Sequence, residues 1–304
     1  MSGATFGWDV YRKQPQIPME AHDKPAWVSG ADGLIGNYFV QTAAKFAPRW
    51  RVRGLTRSQI DLTDFQAVER EFKRDRPQLI IHCAAIPTTT AVLANPALAQ
   101  RINVDATKLL VDLAADIPFV FLSTDFVFDG KKGNYSETDP VNPISLYGET
   151  KVAAEQIVLK YPKAIVIRTS INCGTSKSGR RGFNEQLRWD LQTKGTLKLF
   201  TDEFRCPIFA GETARAGWEL ALKQCAGIFH IAGAEKLSRW QMGQLLAQRS
   251  PELKSKMEPG LLRDFSGPPR TADTTLNISK VQKILSRPLP SLTEWLAANP
   301  HEPF

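Results

Sequence analysis

The sequence lacks the patterns that mark metal-binding, disulfide-stabilised and membrane proteins. Its four cysteines form no C-x-x-C pair, and each lies in or near an apolar stretch, which favours free thiols in a reducing compartment. Its four histidines are too dispersed to predict a metal site. No apolar run is long enough to span a membrane, and the N-terminus lacks the apolar core of a signal peptide. We therefore expect a cytoplasmic protein with no bound metal and no membrane partner.

The sequence also lacks any long run of like charge, although its formal net charge is +8. The basic residues are scattered, so we expect no nucleic acid as a partner. The excess charge instead indicates a mild attraction for small anionic ligands such as phosphates. With 304 residues, of which 42% are hydrophobic, the chain is long enough for one large α/β domain and a smaller partner.

Strand-like and helix-like segments alternate along the first half of the chain. Residues 1–24 are polar and without period, which predicts a flexible N-terminal extension. The alternation in residues 25–170 predicts a dinucleotide-binding domain with a doubly wound parallel sheet, the Rossmann arrangement. One long helix is expected over residues 96–116. Residues 171–304 predict mainly a smaller substrate-capping domain, with a segment near 211–233 returning to the main sheet.

A glycine-rich loop, VSGADGLIG, lies between the first predicted strand and the first predicted helix. Its glycines, Gly30, Gly33 and Gly36, permit a tight turn and let backbone N–H groups approach a pyrophosphate. A purely structural tight turn is the alternative. The dinucleotide interpretation places five residues of the loop against the cofactor: Gly30, Asp32, Gly33, Leu34 and Ile35.

The end of the second predicted strand, RGLTR, carries no carboxylate before Asp61. NAD-binding proteins of this fold usually place an acidic residue there to hold the ribose 2′-hydroxyl. Arg57, and with it Arg53, is suited instead to a 2′-phosphate, because a guanidinium donates two hydrogen bonds to one phosphate. We therefore predict NADP (NADPH), with NAD as the alternative; two arginines that only decorate a sheet edge are the other interpretation. Further cofactor contacts are predicted at Asp61, Leu62, Cys83, Ala84 and Ala85.

The segment SLYGETK places Tyr147 and Lys151 four residues apart at the start of a predicted helix. Of the five tyrosines, only Tyr147 has a lysine at that spacing. The pair suits the proton donor of a carbonyl reductase and the lysine that tunes it, although one exposed helical turn is the ordinary alternative. The fourth predicted strand ends in Ser123, Thr124 and Asp125, and the ends of parallel strands meet at one edge. A hydroxyl and a phenol are therefore expected to converge there.

An ordered set of motifs resembles the extended short-chain dehydrogenase/reductases and, within them, the dTDP-4-dehydrorhamnose reductases. The set comprises GADGLIG, DLTD, HCAA, RINVDAT, STDFVFDG, YGETK, IRTS and RTADTTLNISK, and it covers roughly residues 26–285. The resemblance implies NADPH-dependent reduction of the keto group of a 4-keto-6-deoxy sugar nucleotide. It also implies a homodimer, as is common in this superfamily.

The resemblance implies roles for individual residues. Tyr147 would donate a proton to the substrate oxygen as hydride arrives, with its pKa lowered by the Lys151 ammonium and the oxidised nicotinamide. Lys151 would also hold the nicotinamide ribose. Thr124 would hydrogen-bond the carbonyl oxygen, with Ser123 as its competitor. Asn103, placed with the cofactor, would have a support or proton-relay part.

The sequence departs from the family pattern where substrate is expected to bind. Phe126 replaces a tyrosine, Ile171 replaces a tryptophan, and DEFRCP (202–207) replaces a DQ-x-G-x-P loop, so that Arg205 stands at the glycine. Arg205 and the SGRRGFN loop (178–184) are suited to a diphosphate or another anion, with a solvated basic loop as the alternative.

Asp125 is the remaining substrate candidate, and the cap of a local turn is its alternative role. Because of the departures, two other functions stay open. One is the reduction of a different ketone or sugar. The other is a non-catalytic role like that of the regulatory β subunit of methionine adenosyltransferase, which shares this fold and motif set.

Overall fold

The computed structural model of the protein describes residues 24–304. The predicted extension, residues 1–24, therefore lies outside the described residues apart from Lys24. Six strands form the central sheet: β1 (Lys24–Ser29), β2 (Trp50–Leu55), β3 (Leu79–His82), β4 (Phe119–Thr124), β5 (Ala164–Thr169) and β10 (Gly227–Ile231).

All neighbouring strands of this sheet run parallel, in the order β10-β5-β4-β3-β1-β2. The chain starts inside the sheet and winds outwards on both sides, which confirms the predicted doubly wound Rossmann arrangement. Every residue of β3 and β5 is buried, since a parallel sheet is covered on both faces. The strand predicted within 211–233 is β10, which pairs with β5 in the main sheet.

Helices cover both faces of the sheet: α1 (Leu34–Phe46), α2 (Phe65–Asp75), α3 (Thr89–Ala94), α4 (Pro96–Gln100), α5 (Ala106–Leu113), α6 (Leu146–Val158), α7 (Phe183–Thr193), α8 (Ala210–Leu222), α9 (Arg239–Arg249), α10 (Ser279–Gln282) and α11 (Leu292–Ala298). On one face, Trp218 of α8 donates its indole N–H to the carbonyl oxygen of Phe39 in α1 at 3.0 Å. On the other face, α2, α5 and α6 bury apolar side chains in a second core. The loops that follow the strands lie at the sheet edge above both cores.

The helix predicted for residues 96–116 is interrupted. A single π turn, Arg101–Asp105, separates α4 from α5, and α5 ends before residue 116. Within this turn, the side-chain amide of Asn103 bonds the backbone of Ile86 and the hydroxyl of Thr150. These contacts lie outside the helix, so they are invisible to the helical period of the sequence. The predicted long helix therefore forms over residues 96–113, with a π turn inside it and an end at Leu113.

After β5 the chain forms three two-stranded ladders: β6 (Asn172–Cys173) with β9 (Ile208–Phe209), β7 (Leu197–Phe200) with β12 (Met257–Gly260), and β8 (Phe204–Arg205) with β11 (Leu237–Ser238). The rings of Phe209 and Trp295 stack with 3.8 Å between centroids, in the same apolar core as α1 and α8. The capping part of the chain therefore packs directly on one face of the central sheet. The domain boundary predicted at residue 170 stays a prediction.

Candidate active site

A cavity of about 660 Å³ opens at the carboxyl ends of β1 to β5. Ligands of open α/β sheets bind at this edge. Of the predicted site residues, Asn103 and Arg205 do not line the cavity. The cavity does bring together Gly30, Asp32, Gly33, Leu34, Ile35, Arg57, Asp61, Leu62, Cys83, Ala84, Ala85, Thr124, Asp125, Phe126, Tyr147, Lys151 and Ile171.

The cavity has two chemically different sides. The side predicted to hold the cofactor, called the cofactor side below, is formed by residues 30–35, 57–62 and 83–85, which follow β1, β2 and β3. Its substrate side is formed by residues 125–126 and 169–172, at the ends of β4 and β5. The three predicted catalytic residues line the same cavity, so the phenol, the amine and the hydroxyl share one space.

The glycine loop fits the pyrophosphate of a dinucleotide. Gly30 has a φ of +68°, a left-handed conformation that favours glycine. A Cβ there would lie 2.8 Å from the Cα of Ala84, and a Cβ at Gly36 would lie 2.3 Å from the carbonyl oxygen of Gly30. The helix α1 begins after Gly33, and no side chain caps its first N–H groups. Those N–H groups therefore point to an anion site at the helix N-terminus.

Arg57 and Arg53 have different environments. Arg53 donates to the carboxylates of Glu71 and Asp75, and it does not line the cavity. Arg57 lies in the cavity wall with an exposed side chain. The two candidates for a 2′-phosphate contact are therefore reduced to Arg57.

A buried network that sequence reasoning missed supports the cofactor side. The hydroxyl of Ser29 lies 2.6 Å from Nδ1 of His82, and Nε2 of His82 lies 2.9 Å from the hydroxyl of Thr107. The backbone N–H of Ala84 donates to Oγ of Ser29 at 3.3 Å. Burial lowers the pKa of His82 to about 3, so its neutral ring donates on one side and accepts on the other. The network ties the ends of β1 and β3 to α5.

Tyr147 meets Thr124 in the cavity wall. Tyr147 is 8% exposed, in the first turn of α6, where the hydroxyl of Ser145 caps the helix. Burial raises the pKa of the phenol; a hydrogen bond with Thr124 opposes the rise, and the charge of Asp125 adds to it. The lowering of this pKa expected from Lys151 is not found, and burial is the largest effect. The phenol is therefore protonated at neutral pH, as a proton donor requires.

Lys151 lies one helical turn beyond Tyr147 and is almost completely buried. Its Nζ donates to the carbonyl oxygen of Leu122 at 2.7 Å. Burial lowers its pKa to about 7, an effect that the charges of Glu155 and Cys83 oppose. The amine therefore gains or loses a proton near neutral pH at little free-energy cost.

Ser123, the predicted competitor of Thr124 for the substrate oxygen, has its hydroxyl proton engaged elsewhere. Its hydroxyl donates to Glu155, which also accepts from Arg168 with 2.7 Å between Nη2 and Oε2. All three side chains are buried, although Ser123 still lines the cavity. Of the two hydroxyls, that of Thr124 is the one that acts on the pKa of Tyr147.

Asn103 holds the loop after β3 and does not face the cavity. Its Oδ1 accepts from the backbone N–H of Ile86 at 2.8 Å, and its Nδ2 donates to the carbonyl oxygen of Ile86 at 3.2 Å. The same Nδ2 donates to the hydroxyl of Thr150 on α6 at 3.1 Å. The predicted placement against the cofactor is corrected to the support role that was its alternative.

The substrate side is lined by Phe126 and Ile171 at the expected positions. Ser170 and Asn172, which sequence reasoning did not single out, also line it, and Arg181 brings in one side chain of the SGRRGFN loop. The signal for Ser170 and Asn172 is their place directly after β5, because residues at strand ends face the ligand edge.

Arg205 is buried, which corrects its predicted contact with an anion. Its Nη2 lies 3.1 Å from Oε1 of Glu203 and donates to the hydroxyl of Thr271 at 2.7 Å. Glu203 has no exposed surface and is also paired with Arg239 and Arg270. Although burial raises the pKa of Glu203, the arginines around it bring that pKa down to about 2. A guanidinium already paired in this way is not available to a diphosphate.

Comparison with known proteins identifies the family of the chain. The family model described as "RmlD substrate binding domain" matches residues 26–300. The chain belongs to the RmlD family. Membership makes it an oxidoreductase of the extended short-chain dehydrogenase/reductase type.

This RmlD family member is 30% identical over 288 residues to "Probable low-salt glycan biosynthesis reductase Agl14" of Haloferax volcanii, with 90% of this chain and 96% of the relative covered. It is 26% identical over 298 residues to "Methionine adenosyltransferase 2 subunit beta" of Xenopus tropicalis, with 91% of this chain and 86% of the relative covered. Its fold is similar to the crystal structure of dTDP-4-dehydrorhamnose reductase from Bacillus anthracis str. Ames in complex with NADP, with a TM-score of 0.82, 21% identity, and coverage of 90% of this chain and 98% of that chain.

Two further findings concern residues 24–304 of this RmlD family member. No three or more of their His, Cys, Asp and Glu side chains are grouped so that they could hold a metal ion. None of their helices is both long enough and apolar enough to cross a membrane.

Proposed function

We propose that the protein reduces the keto group of a 4-keto-6-deoxy sugar nucleotide with NADPH. The observation that carries the proposal is that Thr124, Tyr147 and Lys151 line the same cavity as the glycine loop. The names of two similar proteins, a glycan biosynthesis reductase and a dTDP-4-dehydrorhamnose reductase, support the substrate class.

The cofactor side is suited to NADP. The uncapped N–H groups at the start of α1 would hold the pyrophosphate, and the glycines permit the tight turn that brings α1 close to β1 and β3. Arg57 would donate to the 2′-phosphate, and Lys151 would hold the nicotinamide ribose. NADPH, when bound, supplies the hydride.

The protein's own residues then handle the proton. Tyr147 holds a proton at neutral pH and would donate it to the substrate oxygen. The hydroxyl of Thr124 would orient that oxygen and then donate to the phenolate. Lys151, with a pKa of about 7, would take up a proton and compensate the phenolate charge.

The direct test is NADPH oxidation by the purified protein across a panel of 4-keto-6-deoxy sugar nucleotides, with dTDP-4-dehydrorhamnose first. We expect substrate-dependent oxidation and a product with a new hydroxyl at C4 by NMR. The Tyr147→Phe protein is the control and should bind NADPH without turnover. No oxidation with any member of the panel would refute the proposed substrate class.

The apolar wall of the substrate side favours one alternative substrate class. Phe126 and Ile171 offer no hydrogen-bond donor to a sugar hydroxyl. A simpler ketone is therefore the second candidate. Crystals soaked with a nucleotide sugar and with simple ketones distinguish the two, because only the nucleotide sugar requires density for a base and a diphosphate.

The similarity to a methionine adenosyltransferase subunit favours a regulatory role as a further candidate. Size-exclusion chromatography with the catalytic subunit of that enzyme tests it. If the chain and its Tyr147→Phe variant co-elute with that subunit and alter its rate equally, binding and not catalysis is the role. The expected homodimer stays a prediction, which light scattering of the purified protein checks.

A further inference from the structure

Two residues that depart from the family pattern contact each other behind the cavity wall. Cζ of Arg205 lies 5.5 Å from the centroid of the Phe126 ring. On its other side the Phe126 ring lies edge-on to Tyr147, with 6.0 Å between centroids. Because Phe126 packs against both side chains, a change in the position of the Arg205 guanidinium alters the packing around Tyr147.

The same guanidinium faces Asp125. Nε of Arg205 lies 3.6 Å from Oδ2 of Asp125, and it makes no hydrogen bond within the described residues, so the pair is held by charge. Asp125 is 3% exposed, and its Oδ2 accepts from the hydroxyls of Ser170 and Thr274, each at 3.0 Å. Removing one partner of a buried ion pair leaves an uncompensated charge, which strongly perturbs its surroundings.

Asp125 in turn competes for the one proton of Thr124. Oγ1 of Thr124 donates to Oδ1 of Asp125 at 3.2 Å and accepts from the backbone N–H of Phe126 at 3.2 Å. The same hydroxyl also acts on the Tyr147 phenol, whose pKa it lowers. A hydroxyl has one proton, so it does not donate to Asp125 and to a Tyr147 phenolate at the same time. The charge at Asp125 therefore decides how readily Thr124 turns to the phenolate.

We propose that Arg205 is a positioning residue for the proton donor. By pairing with Asp125 and backing the ring of Phe126, it weakens the hold of Asp125 on the Thr124 proton, so that the hydroxyl turns more readily to Tyr147. Arg205 does not line the cavity, so it acts only through these neighbours. This inference rests on the proposed function for its catalytic consequence, although its structural part does not.

The electrostatic surroundings of Asp125 explain why this arginine matters. Burial raises the pKa of Asp125, and the charge of Arg205 is the largest effect that opposes the rise. Without Arg205, Asp125 either stays ionised and holds the Thr124 proton more tightly, or takes up a proton itself. Both results change the hydrogen bond between the Thr124 hydroxyl and Asp125. The titratable and charged groups that face Asp125 are Arg205, Arg239, Tyr147 and Cys206.

The first experiment follows Tyr147 without any substrate. The full chain is labelled with 3-fluorotyrosine, and the ¹⁹F resonance of position 147 is assigned by its loss in Tyr147→Phe. Arg205→Met is expected to shift this resonance and to raise the pH at which it titrates. The double variant Arg205→Met with Asp125→Asn, which removes both charges, should reverse most of the change in that pH.

The matched control is Arg270→Met. Arg270 also pairs with buried Glu203, but it is not among the groups that act on Asp125 and does not line the cavity. It should therefore cost stability as Arg205→Met does while leaving the position-147 resonance unchanged. If Arg205→Met does not fold, Arg205→Lys, which keeps the charge, replaces it in the test.

The second experiment measures turnover. Arg205→Met is expected to lower kcat by about 10- to 100-fold, with NADPH binding unchanged, because a misplaced donor slows only the chemical step. Its kcat–pH profile should gain an acid-side ionisation that the double variant lacks. An unmoved resonance together with an unchanged kcat would overturn the proposal. A moved resonance in a protein that reduces no keto sugar would defeat the proposed function and leave the positioning role standing.

Discussion

The cofactor side of the cavity is made mainly of backbone that short loops place at strand ends, whereas the substrate side depends on buried charges from distant segments. Gly30 and Gly36 contribute by lacking side chains, and α1 contributes uncapped N–H groups. On the substrate side, Asp125 follows β4, while its partner Arg205 lies in β8. We therefore expect a pyrophosphate to be recognised by local geometry and the substrate position to depend on tertiary ion pairing.

If the two sides of the cavity act separately, the largest expected effect is that of Tyr147→Phe on turnover. We expect kcat to fall by about 10²- to 10⁴-fold, the usual contribution of a general acid. NADPH affinity should stay unchanged, because the pyrophosphate site lies on the cofactor side. Stopped-flow oxidation and a fluorescence titration of NADPH measure the two quantities. Tyr161→Phe, which loses a hydroxyl bonded to Asp112, is the control and should keep its turnover.

The next effect tests the cofactor side. Gly30→Ala forces a Cβ to within 2.8 Å of Ala84 at a left-handed φ, and we expect loss of NADPH binding with about 1–3 kcal/mol of stability. Gly179→Ala is the matched control, since Gly179 has a φ of +67° but no neighbour within 4 Å of an added Cβ. Equal losses in the two variants would show that backbone strain alone, without the close approach, explains the effect.

A smaller and more selective effect is expected from Arg57→Ala. Loss of a charged hydrogen bond, worth about 1.5–3 kcal/mol, should weaken NADPH binding by roughly 10- to 100-fold. NADH, which has no 2′-phosphate, should bind as before. Isothermal titration of both cofactors measures the ratio. Arg51→Ala, at an exposed arginine of β2 outside the cavity, is the control. Equal weakening of both cofactors would assign the 2′-phosphate to another group.

The last effect is on stability and concerns Lys151. Its pKa is about 7 in the folded protein and about 10.4 when unfolded, so the unfolded chain binds more protons between these values. Burial of Lys151 therefore costs stability in full below pH 7, and the cost disappears as pH rises towards 10.4. We expect Lys151→Met to raise Tm at pH 6, by roughly 2–4 °C per kcal/mol relieved, and to lose that gain near pH 10. Exposed Lys160→Met should show no such pH dependence.

The comparison of the two sides also explains which site residues could be predicted. The glycine loop and Arg57 follow directly on strand ends, so the order of strands is enough to place them. Tyr147 and Thr124 were found because each lies at the end of an element that faces the same edge. These positions depend on the sheet, and the sheet follows from the alternation of strands and helices.

The remaining positions depend on partners that no spacing reveals. Arg205 was assigned to an anion because its sequence neighbours do not show that Glu203 and two further arginines surround it. The resemblance to the family implies a cofactor contact for Asn103, and no spacing shows that its amide bonds the backbone of Ile86 and the hydroxyl of Thr150. The hydrogen-bonded link from Ser29 through His82 to Thr107 joins three elements, and no sequence motif indicates it.

The late return of β10 to the main sheet bears on how the protein is made. Its residues, Gly227–Ile231, emerge only after the ladders of the capping part have been synthesised. Until then, β5 is an outer strand whose buried apolar faces and free backbone groups invite pairing with another chain. A nascent or truncated chain that stops before residue 227 is therefore expected to aggregate, and the nucleotide-binding part should not be separable as a stable fragment.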